Sequence, residues 1–145
     1  MTNPQATYDG AVLGREVCRG RIDLSQTDID RFCGLMGYDD PVHRAGAAGG
    51  AAGGAVAPTS MCLAFGLRLG WESQVFPPGV IRVGDENTYG VPARAGDRLT
   101  TTLVISDRFT RKGRRFLTYQ METTNQHDQQ VCLVCFTAIL PGGPT

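Results

Sequence analysis

Hydrophobic and polar positions divide the chain into a helical first half and a stranded second half. Ser25 opens the first periodic segment: its hydroxyl is placed to cap the free amides of a helical turn, Asp28 follows three residues on, and Ile29, Phe32, Cys33 and Met36 recur on one face. Gly37 ends that helix. The segment Met61 to Trp71 carries only Arg68 as a charge, with Pro58 at its first turn, and a helix apolar nearly all round is a buried helix. After Phe76-Pro77-Pro78-Gly79 the period changes to two. The segments GVIRVGDENTYGV, DRLTTTLVISDRFT, RRFLTYQMETTN and QQVCLVCFTAIL are rich in β-branched and aromatic residues, and the connections near 110–114 and 125–129 are short enough for hairpins. The pattern predicts an α+β fold in which a meander of antiparallel strands curves around the buried helix.

The 145 residues fit one domain, with residues 11–140 as its body, 1–10 as a flexible N-terminus, and 141–145 as a flexible tail rich in proline and glycine. Fourteen basic residues balance fourteen acidic ones, which leaves no global field to attract nucleic acid or an anionic membrane. No apolar run approaches the roughly 18 residues of a bilayer span, and MTNPQATYDG lacks the basic and apolar regions of a secretory signal, so a cytoplasmic location is expected. Five cysteines among apolar neighbours read as reduced thiols. Cys132 and Cys135 form a CxxC spacing, but alternation along a strand sends their sulfurs to opposite faces, so no metal or redox site is expected there.

Between the helices lie GYDDPVHRAG, a turn-rich stretch, and the glycine-alanine run from Gly46 to Gly54. That run reads either as a flexible linker or as a place where a backbone or a ligand approaches closely, and it is expected to order over a substrate or a partner chain. It lacks the preceding strand and the lysine of a phosphate-binding loop, so no nucleotide cofactor is expected.

Three segments in this order resemble the MaoC-like hydratase/dehydratase family, most closely its dehydratase N-terminal-type domains. They are Asp28 to His43, with its helix, glycine, acidic-Pro turn and histidine; Ala57-Pro58-Thr59 at the start of the central helix; and Pro92-Ala93-Arg94-Ala95-Gly96-Asp97-Arg98-Leu99 before a long strand. The resemblance implies a hotdog fold, an antiparallel sheet wrapped around a central helix, and hydration or dehydration of an enoyl or 3-hydroxyacyl thioester carried by coenzyme A or an acyl carrier protein. It also implies a homodimer, or a heterodimer with a related hotdog chain. In the family's turn an Asp and a His hold a water. Here His43 falls on the histidine, but Tyr38 stands where the Asp is usual and Asp40 where the Asn is usual.

Adding water across a conjugated double bond needs one group to deprotonate water and another to protonate the α-carbon. His43, Asp40 and Tyr38 are the catalytic candidates, Tyr38 as a proton donor because its phenol ordinarily ionises near pH ~10. Asp39, Thr59, Ser60 and Tyr89 are the substrate-binding candidates, Thr59 and Ser60 because a buried helix N-terminus stabilises a thioester oxygen that gains charge. Asp97 reads as a structural turn, His127 as a solvated hairpin residue, and the cluster Arg108, Arg111, Lys112, Arg114 and Arg115 as a hairpin tip that would suit a phosphate-bearing carrier. Three functions remain open: a hydratase or dehydratase, a non-catalytic hotdog partner subunit, and a hotdog thioesterase or tailoring enzyme with a substrate lacking coenzyme A.

Overall fold

The computed structural model describes residues 3–46 and 54–142. Its elements in chain order are β1 (Glu16–Asp23), α1 (Gln26–Met36), α2 (Met61–Glu72), β2 (Ile81–Tyr89), β3 (Arg98–Arg111), β4 (Arg114–Thr124) and β5 (Gln130–Ile139), with short 3-10 turns at Pro4–Ala6 and Pro41–His43. All strand pairs are antiparallel, and the sheet order is β1-β3-β4-β5-β2. The expected meander therefore holds only for β3 to β5. β2 pairs with β5 at the far edge, because its chain must first pass Pro92 to Asp97 beside the lead-in to α2.

Period-two patterning decides which face holds α2. Leu99, Thr101, Leu103 and Ile105 of β3, Leu117, Tyr119, Met121 and Thr123 of β4, and Cys132, Val134, Phe136 and Ala138 of β5 are all buried on one face. Cys135 lies on the other face from Cys132, as alternation requires. Thr101 and Thr123 face each other across the ladder with their hydroxyls 2.7 Å apart, which satisfies the polar pair inside the core. α2 lies against this face through Met61, Cys62, Phe65, Gly66 and Gly70. Gly66 permits that approach, since a Cβ there would stand 2.5 Å from Met121 Sδ. This is the wrapped helix of a hotdog domain. The burial is one-sided, however: Ala64, Arg68, Trp71 and Glu72 are exposed on the outer side.

α1 begins where expected. Ser25 Oγ accepts from the Asp28 amide at 3.1 Å and the Asp28 carboxylate accepts from the Ser25 amide at 3.1 Å, a complete capping box. Ile29 and Cys33 are buried, whereas Met36, expected on the same face, is exposed with Leu35 at the helix end. Pro58 precedes α2 rather than entering it: Met61 and Cys62 amides bond the Pro58 and Thr59 carbonyls, so Pro58 to Ser60 form a turn.

Two segments differ from the sequence pattern. β1 alternates from Cys18 to Asp23 with Arg19 and Arg21 outward, but its inward position Gly20 carries no side chain to mark the period, because it lies under Leu69 of α2. Residues 3–10, expected to be flexible, are packed. Ala6 and Ala11 belong to the core, the Asn3 amide bonds the Gln74 carbonyl, and the Tyr8 hydroxyl lies 2.8 Å from Thr110 Oγ1. The Tyr8 ring also lies between the Arg108 and Arg115 guanidinium groups, at 5.7 and 5.2 Å. Most of the glycine-alanine run, residues 47–53, lies outside the described residues, as does the tail beyond Gly142. Among the described residues no helix is long and apolar enough to cross a membrane.

Tyr119 is fully buried between Phe76 and Phe136, and its hydroxyl has no hydrogen-bond partner. Burial pushes its phenol up to about 12, above the ordinary value of 10. A raised folded-state value means that this group's contribution is whole below pH about 10 and is lost as pH rises through about 12. Tyr119→Phe removes the unpaired hydroxyl, so denaturant titration should show a gain of about 1 kcal/mol at neutral pH and a later onset of alkaline unfolding. A loss of stability would show that the hydroxyl has a partner.

Candidate active site

Gly37, with φ at 75°, turns the chain out of α1, and the Tyr38 amide bonds back to the Cys33 carbonyl at 2.9 Å. The following turn folds over the N-terminal end of α2. Asp40 Oδ1 accepts from the Val42 amide at 3.0 Å and so caps the Pro41–His43 turn, with its side chain exposed. The Asp39 side chain is also exposed, and its carbonyl accepts from Arg44 Nη2 at 2.9 Å.

His43 is held from two sides. Its carbonyl accepts from Gln26 Nε2 at 3.0 Å, and the same amide reaches Asp30 Oδ1 at 2.9 Å. Its ring Nδ1 lies 2.6 Å from the Val56 carbonyl. A carbonyl only accepts, so in the neutral ring Nδ1 carries the hydrogen and donates it, which leaves Nε2 as the proton acceptor. Val56 is fixed in turn by its amide on the Val42 carbonyl at 3.0 Å and by a bridge to Arg94.

The Tyr38 hydroxyl lies 3.0 Å from Ser60 Oγ, and the Tyr38 ring stacks on Phe32 with centroids 6.3 Å apart. The His43 ring is 6.2 Å away on its other side. Ser60 is the residue that precedes α2, and its side chain makes no helix cap. Among the described residues, the Thr59 and Ser60 amides donate to no backbone carbonyl. The site therefore brings together an imidazole, a phenol, a hydroxyl and the positive end of a partly buried helix.

Tyr38, His43 and Ser60 meet, with Thr59 beside them. Tyr89 does not join them: it ends β2 at the same end of the sheet but makes no hydrogen bond or ring contact with them. Asp97 is structural, accepting from the Arg94 amide at 2.8 Å and from Gln126 Nε2 at 2.9 Å. His127 is exposed in the β4–β5 turn, where its amide caps onto Asn125. Gln26 escaped the sequence reading, since nothing local marks a residue in the first turn of α1 as a clamp on a carbonyl 17 positions away. The buried thiols of Cys62 and Cys132 also meet behind the first turn of α2. Their hydrogen bond, followed by burial, pushes the Cys62 thiol far up and keeps it protonated.

Residues 11–134 match the family model described as the FAS1-like, dehydratase domain region. The chain belongs to that family. Solved structures show the same fold. The R-hydratase PhaJ1 from Pseudomonas aeruginosa, in the unliganded form, superimposes with a TM-score of 0.78 at 20% identity, covering 97% of this chain and 86% of that one. The MaoC-like dehydratase from Rhodospirillum rubrum gives 0.77 at 24% identity, covering 94% and 97%. The C-terminally truncated HadBC (3R-hydroxyacyl-ACP dehydratase) complex from Mycobacterium tuberculosis gives 0.72 at 17% identity, covering 87% and 96%. No curated protein matches the chain.

The hydrogen bond at Nδ1 fixes a measurable state. Long-range proton–nitrogen NMR of the neutral protein should show His43 as the Nδ1-protonated tautomer, with His127 as an exposed reference. A His43 ring protonated at Nε2 would remove the acceptor from the site.

Proposed function

We propose that the protein is a hydratase or dehydratase acting on an enoyl or 3-hydroxyacyl thioester by general acid–base transfer of water. The observation that carries this reading is His43, locked by Val56 with Nε2 as acceptor, beside the Tyr38 phenol at the N-terminal end of α2. In hydration, Nε2 takes a proton from water as its oxygen bonds to the β-carbon. The thioester oxygen receives the displaced electron pair, and the Thr59 and Ser60 amides with the helix field stabilise that charge. Tyr38 then delivers a proton to the α-carbon, and return of the imidazolium proton to the phenolate restores the pair. Dehydration is the reverse. Asp40 contributes by holding the turn that presents His43, and Asp39 lies at its mouth.

The second reading is a partner subunit that needs a companion chain. It is favoured by Tyr38 at the position of the family's usual carboxylate, and heterocomplexes such as HadBC and ChsH1-ChsH2 from Mycobacterium tuberculosis are among the similar structures. Either reading calls for a second hotdog chain. β2 is exposed along its whole length and presents Ile81, Val83 and Tyr89 to solvent. An apolar unpaired edge is a template for another strand. Arg82 pairs with Asp85 near the middle of β2, whereas Glu86 beside it is exposed and in no ion pair among the described residues.

Purified protein given a series of trans-2-enoyl thioesters should remove the conjugated absorbance. His43→Ala should abolish turnover, and Tyr38→Phe should lower kcat by about 10²-fold, the scale of one proton-transfer group. Silence of the wild-type protein alone, with turnover restored by a dyad-bearing hotdog chain, would replace this reading with the partner-subunit one. In sedimentation, wild-type protein should run as a dimer and Val83→Lys as a monomer; an unchanged dimer would remove β2 from the interface.

A further inference from the structure

Gln26 opens α1 immediately after the Ser25 cap, and Asp30 follows one turn later on the same face. A Gln–Asp pair at this spacing ordinarily supports its own helix. Here it reaches further. Gln26 Nε2 carries two hydrogens in one plane, and it lies 2.9 Å from Asp30 Oδ1 and 3.0 Å from the His43 carbonyl oxygen, 17 positions along the chain. A carboxylate and a carbonyl only accept, so the nitrogen of the amide must face them, and each takes one hydrogen. Ionised glutamate, the isostere, would have no hydrogen to give to either.

The two ends of this bridge are unequally fixed. α1 starts on a firm base: Leu24 is buried, its amide bonds the Asp97 carbonyl at 2.9 Å, and its carbonyl takes the Gly96 amide at 2.7 Å. The Pro41–His43 turn has no buried residue. Its internal bonds run from the His43 amide to the Asp40 carbonyl and from the Arg44 amide to the Pro41 carbonyl, and these fix its shape and not its place. Its place is set from outside, by Val56 on the Val42 carbonyl and on the His43 ring, and by Gln26 on the His43 carbonyl. Val56 thus grips the imidazole, and Gln26 grips the main chain that carries it. Asp30 completes the grip. Without it the Gln26 amide is free to turn about its last bond and set Oε1 against the His43 carbonyl, where two acceptors repel; the charged carboxylate holds the nitrogen side inward.

We propose that Gln26 and Asp30 are positioning residues of the reaction, Asp30 orienting the Gln26 amide and Gln26 holding the His43 main chain where Nε2 meets the reacting water. This rests on the hydratase reading above, and neither residue touches substrate. A base carried on a loop falls out of line when one of its anchors is lost, and a misplacement of about 1 Å costs up to about 10²-fold in rate. Substrate affinity does not pass through Nε2, so the loss falls on kcat rather than on KM.

The test compares kcat and KM for one trans-2-enoyl thioester across Gln26→Glu, Gln26→Ala, Asp30→Ala, Asp30→Asn and the combined Gln26→Ala, Asp30→Ala variant. Gln26→Glu and Gln26→Ala should each lower kcat about tenfold and hold KM within about twofold. Asp30→Asn keeps an oxygen that accepts from Gln26, so it should lose less than Asp30→Ala. Because Asp30 acts through Gln26, the combined variant should lose no more than Gln26→Ala alone. Losses that multiply, or wild-type kcat in both Gln26 variants, overturn the proposal. The His43 tautomer separates positioning from collapse of the loop: the Val56 bond survives the substitutions, so both Gln26 variants should keep the Nδ1-protonated ring. A ring that loses it gives Gln26 a merely structural role and overturns the proposal. Should no thioester turn over, the hydratase reading fails by itself and the clamp is decided on the His43 ring signals. Gln26→Glu should then introduce microsecond-to-millisecond exchange broadening that wild-type protein lacks, and identical relaxation in the two overturns the clamp.

Discussion

The hydrogen bond from His43 Nδ1 to the Val56 carbonyl, at 2.6 Å, is the constraint on which the site depends. It joins the turn after α1 to the strand-like lead-in of α2, two pieces also linked by the Val56 amide on the Val42 carbonyl and by the Tyr38 hydroxyl at Ser60 Oγ. Val56 is anchored from below by the segment Pro92 to Leu99. There the Ala95 amide bonds the Ala55 carbonyl at 2.9 Å, the Ala57 amide bonds the Ala93 carbonyl at 2.8 Å, and the Gly96 amide bonds the Leu24 carbonyl at 2.7 Å. Asp97 closes the turn by accepting from the Arg94 amide and from Gln126. One short turn therefore fixes the start of α1, the lead-in of α2 and the β4–β5 loop together. The imidazole inherits its orientation from that knot rather than from its own exposed loop, which is how a rigid scaffold positions a loop residue for chemistry.

On the proposed hydratase reading, Tyr38 in the place of a carboxylate changes the chemistry available rather than removing it. A carboxylate in that place could only accept hydrogen bonds, whereas a phenol can also donate one. On the proposed reading the pair divides the labour, with the acceptor at Nε2 and the donor at the phenol. Ser60 at 3.0 Å from that hydroxyl, and Phe32 stacked on the ring, hold the donor against the helix end where the enolate charge would develop. The orientation of His43 comes from Val56 and Gln26, and neither hydrogen bond involves residue 38.

The legibility of these features follows from how local their causes are. β3 to β5 stood out because inward Leu, Ile, Met and Val alternate with Thr, Arg and Gln along each strand, and alternation is a property of neighbours, whereas β2 is exposed throughout and was marked by its residue types alone. α1 was legible for the same reason, through the Ser25 and Asp28 cap. β1 was hidden because its inward position at Gly20 is filled by Leu69 from α2, so the hydrophobic group that completes the pattern belongs to another element. Tyr8 gave no sign of order because its partners, Arg108 and Arg115, are 100 or more positions away. Among the candidate residues, Tyr38, His43, Thr59 and Ser60 could be drawn together by family likeness. Gln26 could not, because a side-chain amide on a distant carbonyl leaves no trace in residue type or spacing.

The two edges of the sheet manage exposure in opposite ways. β1 carries Glu16–Arg19 and Arg21–Asp23 ion pairs along its length, and Arg98 of β3 reaches the same Asp23, so that edge is charged and discourages pairing. β2 carries a single ion pair near its middle and leaves Ile81, Val83 and Tyr89 to solvent. Such an asymmetry specifies which edge a second chain meets, since one edge costs desolvated charge to cover and the other gains buried apolar surface. It also bears on α2, whose exposed Trp71 lies toward the end of the helix remote from the site. An antiparallel chain joined along β2 would set its own Ile81 end beside this chain's Tyr89, the end of the sheet at which α2 begins. On the proposed reading the single domain supplies the base, the acid and the helix end, and the apolar β2 edge is where a second chain would join it.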